Sequence, residues 1–109
     1  MADTLKILGQ SNPLATTLTD IYTVPASTST TVSSITVSNN SATATTFRIS
    51  VAVAGAADDP KQYLYYDVSI NGNDTFVATI GITLAATDKI RIYATLATLS
   101  FNVFGVEIT

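Results

Sequence analysis

Apolar and polar residues alternate along most of this chain with a period of two. The alternation is clearest over 47–53, 76–84 and 90–96, where every second position is apolar and the positions between are mostly polar or small. This spacing places successive side chains on opposite faces of an extended strand. No long window has the three- and four-residue spacing of an amphipathic helix. The pattern therefore predicts strands along the whole chain.

Turn-forming residues divide this pattern into about eight strands. We expect strands at 4–8, 18–24, 31–38, 46–54, 62–70, 75–84, 89–95 and 98–108. Many short strands separated by regularly spaced turns are typical of a sandwich or a small barrel. The predicted fold is all-β, a single antiparallel β-sandwich of jelly-roll type, and the strand order stays open.

Two local signals add detail to this prediction. Asn71-Gly72 lies between two apolar runs and predicts a tight hairpin, because both residues tolerate positive φ. The alternation of the last strand changes phase at Phe104-Gly105, which predicts a β-bulge there.

The first 17 residues carry a weaker strand signal than the domain at 18–109. Leu5, Ile7 and Leu8 are apolar, and the residues from Gly9 to Thr17 are mostly polar. The segment can be an arm that adds a strand to a neighbouring molecule, which would make Leu5 and Ile7 interface residues. It can equally be an ordinary edge strand of its own sheet.

The low content of charged residues indicates a protein that works within an assembly. Charged residues make up 12% of the chain, about half the usual share, so Thr, Ser, Asn and Ala must cover much of the surface. Such a surface loses little hydration energy on meeting another protein. The net charge is −3 and the five basic residues are scattered, which argues against nucleic-acid binding. Lys89 and Arg91 share one strand face, which we expect to be a solvated edge.

The residue types needed for most catalysis are absent from the sequence. The chain has no His and no Cys, which excludes His-dependent nucleophile systems and a structural zinc site. The acidic residues lie mostly in predicted turns, and the chain has no Trp to line a sugar-cleaving cleft. We therefore expect no catalytic, cofactor or metal site and no enzyme activity. With no apolar run of membrane-spanning length and no signal peptide, we expect synthesis in the cytoplasm and no membrane partner.

Tyrosines are the strongest candidates for a binding surface. Tyr63 and Tyr65 are expected to share a polar face with Asp67 and Ser69, and Tyr93 projects from the face with two basic residues. The other face of the strand at 62–70 is expected to be apolar, with Leu64, Tyr66, Val68 and Ile70. Tyrosine on a polar face suits a protein or sugar interface. Pairing across strands within one sheet explains the same placement.

Several segments resemble small virion proteins of tailed bacteriophages. They are 20–26 (DIYTVPA), 30–40 (TTVSSITVSNN), 81–95 (GITLAATDKIRIYAT) and 99–108 (LSFNVFGVEI). The resemblance implies a capsid decoration or cement protein, made in the host cytoplasm and bound on the capsid surface. Its partners would be further copies of itself, most often as a trimer, and the major capsid protein. The resemblance supplies no catalytic residues.

Two other roles stay open from the sequence. The chain can be a tail-fibre or baseplate module that binds a host receptor or glycan through Tyr63, Tyr65 and Tyr93. A bacterial surface or assembly protein is a third reading. Copies that form a closed oligomer would hide exposed strand edges, which suits the capsid role.

Overall fold

The computed structural model describes residues 2–109, and within them it contains nine strands. The strands are β1 (Asp3–Ser11), β2 (Thr19–Thr23), β3 (Ser29–Asn39), β4 (Thr45–Ala52), β5 (Tyr63–Ile70), β6 (Thr75–Ala78), β7 (Ile82–Leu84), β8 (Lys89–Ala94) and β9 (Leu99–Ile108). Short 3-10 turns at Val53–Gly55 and Pro60–Gln62 lie between β4 and β5. The prediction of an all-β fold is confirmed.

The strands form two antiparallel sheets that pack face to face. One sheet has the order β1-β9-β3-β6, with β7 also paired to β3, and the other has the order β2-β8-β4-β5. Strands β6 and β7 pair with successive stretches of one side of β3, so the predicted strand at 75–84 is a single strand interrupted at 79–81. With β6 and β7 counted as one interrupted strand, the two sheets contain eight strands in the order of a jelly roll.

The core lies between the inner faces of the two sheets, as the alternation predicts. Phe47 is fully buried at its centre and contacts the rings of Tyr65, Phe76 and Phe101, with centroids 5.1–6.5 Å away. Other large side chains that are fully buried are Phe101, Ile35, Ile49, Ile90, Ile92 and Leu99. Burying an apolar side chain of this size stabilises the fold by about 1.5–3 kcal/mol.

The irregularity predicted at Phe104-Gly105 exists, but the extra residues are on the neighbouring strands. Val32 and Ser34 pair with Gly105 and Phe104, which leaves Ser33 unpaired on β3. On the other side of β9, Ile7 and Gly9 of β1 pair with Phe104 and Val103, which leaves Leu8 as an extra residue on β1. A Cβ at Gly105 would collide with the backbone of β3, so the glycine permits this close approach. The prediction of a bulge on β9 itself is therefore wrong.

The hairpin predicted at Asn71-Gly72 is also wrong. Strand β5 belongs to the four-stranded sheet and β6 to the five-stranded sheet, so this turn carries the chain across the sandwich. Asn73 adopts a φ of 54° and its N–H donates to the carbonyl of Ser41 at 2.8 Å. A Cβ at Gly72 would collide with the backbone of Ala42. The glycine is needed for contact with that loop and not for a two-residue hairpin.

The end of β4 differs from the prediction as well. The strand ends at Ala52, and Val53, predicted to point inward, is 76% exposed. Ser50 and Ala52 are buried instead. They are covered because the segment after β4 folds back over the outer face, where Arg91 donates to backbone carbonyls of residues 55 and 56 at 3.1 and 2.7 Å.

Lys89 and Arg91 do not form a solvated edge. Strand β8 lies between β2 and β4, so both side chains stand on the outer face of an interior strand. Both bind the carboxylate of Asp20, at 2.8 and 3.0 Å. The hydrogen bond from Lys89, with further help from Arg91, holds the pKa of Asp20 below its usual value.

Candidate functional site

The outer face of the five-stranded sheet carries a row of apolar side chains. The register of β1 against β9 places Leu5 beside Val106 and Ile7 beside Phe104, with Ile108 at the end of the row. Leu5 is 83% exposed and Ile7 is 51% exposed, whereas the three residues of β9 are half-buried. Residues that pair directly across strands project on the same side. These five residues form one continuous surface, which we call the apolar strip.

Strand β1 is the edge of this sheet, and its sequence discourages pairing with a further strand. Within the first 17 residues, Asp3–Ser11 pair with β9 of the same chain. Lys6 projects to the opposite face from Leu5 and Ile7 and pairs with Glu107 at 3.2 Å. Leu8 is the extra residue of a bulge. An inward-pointing charge and a bulge both discourage a further strand from pairing with an open edge. Contact with another protein is therefore expected at the outer face of β1, where Leu5 and Ile7 lie.

A polar cluster beneath the apolar strip joins the two sheets. The Tyr22 hydroxyl on β2 donates to Glu107 Oε2 at 2.6 Å. The hydroxyl oxygen of Tyr22 also lies 2.8 Å from the buried hydroxyl of Thr30. Because the Tyr22 proton is used toward Glu107, Thr30 donates and Tyr22 accepts. The hydrogen bond from Tyr22, aided by Lys6, lowers the pKa of Glu107. Burial and the carboxylate together raise the pKa of Tyr22 to about 12. Glu107 therefore links the two sheets through its hydrogen bonds to Tyr22 and Lys6. Because its pKa is lowered, it is a weak base.

The outer face of the four-stranded sheet has a different chemistry, centred on Arg48. Its guanidinium carbon lies 4.1 Å from the ring centroid of Tyr66 and 4.3 Å from that of Tyr93. Arg48 Nε also donates to Asp67 Oδ1 at 2.7 Å. This hydrogen bond raises the pKa of Arg48. The arginine is therefore fixed in place by two aromatic rings and one carboxylate.

A groove opens beside this stack, with a volume of about 490 Å³. It is lined by Arg48, Asp58, Pro60, Tyr63 and Tyr66, and we call it the aromatic groove. Tyr63 packs edge to face against Tyr66 with centroids 5.1 Å apart. The hydroxyl of Tyr63 donates to Asp58 at 2.8 Å. The pKa of Tyr63 is raised, mainly by burial and secondly by this hydrogen bond to Asp58.

Two irregularities in β5 create the groove. Opposite β4, Leu64 is an extra residue, and Tyr66 and Asp67 together face Arg48. Asp67 has a φ of 51°. Residues three apart on a regular strand point to opposite faces. The bulges change this, so Tyr63 and Tyr66 meet on one face.

The predicted apolar face of β5 is correct at Val68 and Ile70, which lie on the core side. The prediction is wrong between the bulges, at 64–66. Tyr65 turns inward against Phe47 and Phe76, at centroid distances of 6.5 and 5.3 Å, and Leu64 and Tyr66 are exposed. Of the tyrosines expected at an interface, the structure brings Tyr63 to the groove and places Tyr93 behind Arg48. Tyr66, Asp58 and the arginine itself were not singled out from the sequence, because a run of aromatic residues fits either face of a strand.

Neither surface has the composition of a metal centre. Within residues 2–109 no three His, Cys, Asp or Glu side chains lie close enough together to hold a metal ion. No helix in the same range has the length and apolar character needed to span a membrane. Comparison with known proteins finds no matching family model, no matching curated protein and no matching solved structure.

Proposed function

We propose that this protein is a structural protein of a bacteriophage virion, of the capsid decoration or cement type. The observation that carries the proposal is the apolar strip, in which Leu5 and Ile7 are 83% and 51% exposed. Contiguous exposed apolar side chains mark sites of protein interaction. Fully burying one Leu or Ile is worth about 1.5–3 kcal/mol, so covering these two side chains supplies a substantial part of an interface.

The surroundings of the strip support a protein partner. On the β3 side, the register places Ser29, Thr31 and Ser34 beside Ile108, Val106 and Phe104. Hydroxyl groups at the rim of an apolar patch cost less to desolvate than charges do. An apolar centre with a polar rim is the usual anatomy of a protein interface.

The proposed partners are further copies of the chain, in a trimer, and the major capsid protein beneath them. The virion assignment comes from the resemblance of the strand and turn segments to small phage structural proteins. The low charge content supports it, because copies packed densely on a lattice bury much of their surface. In this role the protein strengthens the lattice through contacts and carries out no reaction.

The first test is the size of the protein in solution. Sedimentation equilibrium should give three times the chain mass of 11.4 kDa for the wild type. The double variant Leu5→Asp/Ile7→Asp should sediment as a monomer, because burying two carboxylates in an apolar contact is unfavourable. Val53→Asp is the matched control, since Val53 is 76% exposed and lies outside the apolar strip. Its mass should equal that of the wild type.

The second test is binding to capsids. The wild type and Val53→Asp should pellet with empty capsids of the phage that carries the gene, and the double variant should stay in the supernatant. Wild-type protein that is monomeric and fails to pellet with capsids would contradict the proposal. Equal pelleting of the double variant and the wild type would contradict the assignment of the contact to the apolar strip.

A further inference from the structure

We infer that the aromatic groove is a binding site for a neutral oligosaccharide. The groove lies on the four-stranded sheet, and the apolar strip lies on the other sheet. The inference is therefore independent of the proposed capsid role. It rests on the shape of the groove, the exposed ring of Tyr66, the fixed polar groups beside it and the local charge.

The shape suits a small polar ligand or one end of a longer chain. A volume of about 490 Å³ falls within the range of roughly 300–1,000 Å³ that is typical of small-molecule sites. The groove lies on the outer face of the sheet, where an oligosaccharide can leave it toward solvent. A ligand of this kind can be bound at one or two of its rings.

Tyr66 provides the stacking surface. It is 58% exposed, although one side of its ring is covered by the guanidinium of Arg48 and its neighbour Tyr63 abuts it edge to face. A ring held in this way loses little conformational entropy when a ligand packs against it. Tyrosine combines apolar contact area with a polar hydroxyl, as the C–H faces and hydroxyls of a sugar require.

The polar groups of the groove are fixed as well. Asp58 accepts one hydrogen bond from Tyr63, which leaves lone pairs on a carboxylate that has about four acceptor sites. Arg48 is held by Asp67 and has further N–H donors. Sugar hydroxyls both donate and accept, so they can use a carboxylate and a guanidinium side by side. The backbone of Asp67 is in the left-handed region, with a φ of 51°, and this conformation turns its carboxylate to Arg48.

The charge of the groove disfavours an anionic ligand. The carboxylate of Asp67 already balances the charge of Arg48, so Asp58 leaves the groove negative overall. Lys61, the nearest lysine along the chain, lines a different cavity. A sialylated or phosphorylated sugar would place like charges together, which is unfavourable. A purely apolar ligand would strip water from Asp58 without replacing its hydrogen bonds.

The test is an array of immobilised oligosaccharides. It presents neutral chains of hexoses and N-acetylhexosamines beside their sialylated and phosphorylated counterparts. The wild type should bind neutral chains, and the dense display compensates for weak single-site affinity. Tyr66→Ala should weaken binding by about tenfold or more, since it removes the stacking ring. Tyr66→Phe keeps the ring and should retain most of the binding.

The matched control is Val77→Ala, because Val77 is 55% exposed on the other sheet. It should bind as the wild type does. If Tyr66→Ala fails to fold, Asp58→Asn, which keeps the side-chain size, takes its place and should also lose binding. The Leu5→Asp/Ile7→Asp variant should keep glycan binding, and Tyr66→Ala should keep capsid binding, so the two proposals fail separately.

Three results would overturn the inference. The first is no binding to any neutral chain on the array. The second is a preference for the sialylated or phosphorylated forms, which would show that the charge argument is wrong. The third is unchanged binding of a folded Tyr66→Ala or Asp58→Asn variant, which would place the glycan outside the groove.

Discussion

Tyr22 and Glu107 connect the two sheets of this sandwich through a hydrogen bond of 2.6 Å. Tyr22 belongs to β2 and Glu107 to β9, so the contact crosses the core near one end. Glu107 lies between Val106 and Ile108, whose side chains project from the opposite face of β9 into the apolar strip. The same hydrogen bond that ties the sheets together therefore holds the strip from beneath.

Removing the Tyr22 hydroxyl should measurably destabilise the fold. Tyr22→Phe leaves the buried hydroxyl of Thr30 and the carboxylate of Glu107 each without one partner. We expect the free energy of unfolding in urea to fall by about 1–3 kcal/mol. Tyr66→Phe is the control, because Tyr66 is 58% exposed and should change stability by less than about 0.5 kcal/mol. Equal effects of the two variants would show that the buried cluster contributes nothing specific.

The stability should also depend on Glu107 in acid. The pKa of Glu107 is lower in the folded chain than its unfolded value of about 4.3, chiefly because Tyr22 donates to it. Its contribution is therefore present above the unfolded pKa and is lost as the pH falls through the folded pKa. Between pH 6 and pH 2, urea unfolding should show a larger loss of stability for the wild type than for Glu107→Gln. Parallel curves for the two proteins would contradict this expectation.

Ionisation of Tyr22 should destabilise the protein in alkali. Its folded pKa of about 12 exceeds the unfolded value of about 10, so its contribution is present below pH 10 and is lost as the pH rises toward 12. Tyr22→Phe should lack this part of the alkaline loss. Urea unfolding of both proteins across that interval measures the difference, and an identical alkaline decline would refute the assignment.

Two glycines make a matched pair for testing how β1 is seated. A Cβ at Gly9 would collide with the carbonyl oxygen of Ile21, whereas a Cβ at Gly81 would have no atom within 4 Å. Gly9→Ala should cost about 1–3 kcal/mol in thermal or urea unfolding, and Gly81→Ala should be nearly neutral. Because β1 carries Leu5 and Ile7, Gly9→Ala should also weaken capsid pelleting. A neutral Gly9→Ala would mean that Gly9 does not lie against the carbonyl of Ile21.

The core should be most sensitive at its central ring. Phe47 is fully buried among three aromatic rings, whereas Phe104 is half-buried on the outer face of β9. Phe47→Ala should lower the free energy of unfolding by about 3–5 kcal/mol, and Phe104→Ala should cost clearly less. If the order of these two losses were reversed, the assignment of inner and outer faces would be wrong.

Much of the fold was predictable because a strand with one buried face needs an apolar residue at every second position. On β8, Ile90, Ile92 and Ala94 are all fully buried, and the residues between them stand on the outer face. A regular strand with one buried face leaves this signature in any sequence. Leu5 and Ile7 could be singled out for a related reason, since they alternate with polar residues in a short strand near the start of the chain.

The rest depends on contacts between distant segments. The turn chemistry of Asn71-Gly72 predicts that the chain reverses, but it does not indicate which sheet receives the next strand. The faces of β5 depend on Tyr66 and Asp67 both lying opposite Arg48, a pairing with a strand about 19 positions earlier. The aromatic groove exists only because of that pairing, so the sequence pattern of β5 alone could not predict it.

The placement of the two surfaces on separate sheets has a geometric consequence. The molecule is a slab of 45 × 27 × 20 Å, and its two broad sides are the outer faces of the sheets. A copy that is bound through the apolar strip keeps the aromatic groove, on the opposite sheet, exposed to solvent. On a lattice, many grooves would then point outward at fixed spacing, and weak individual affinities would combine into strong attachment through avidity.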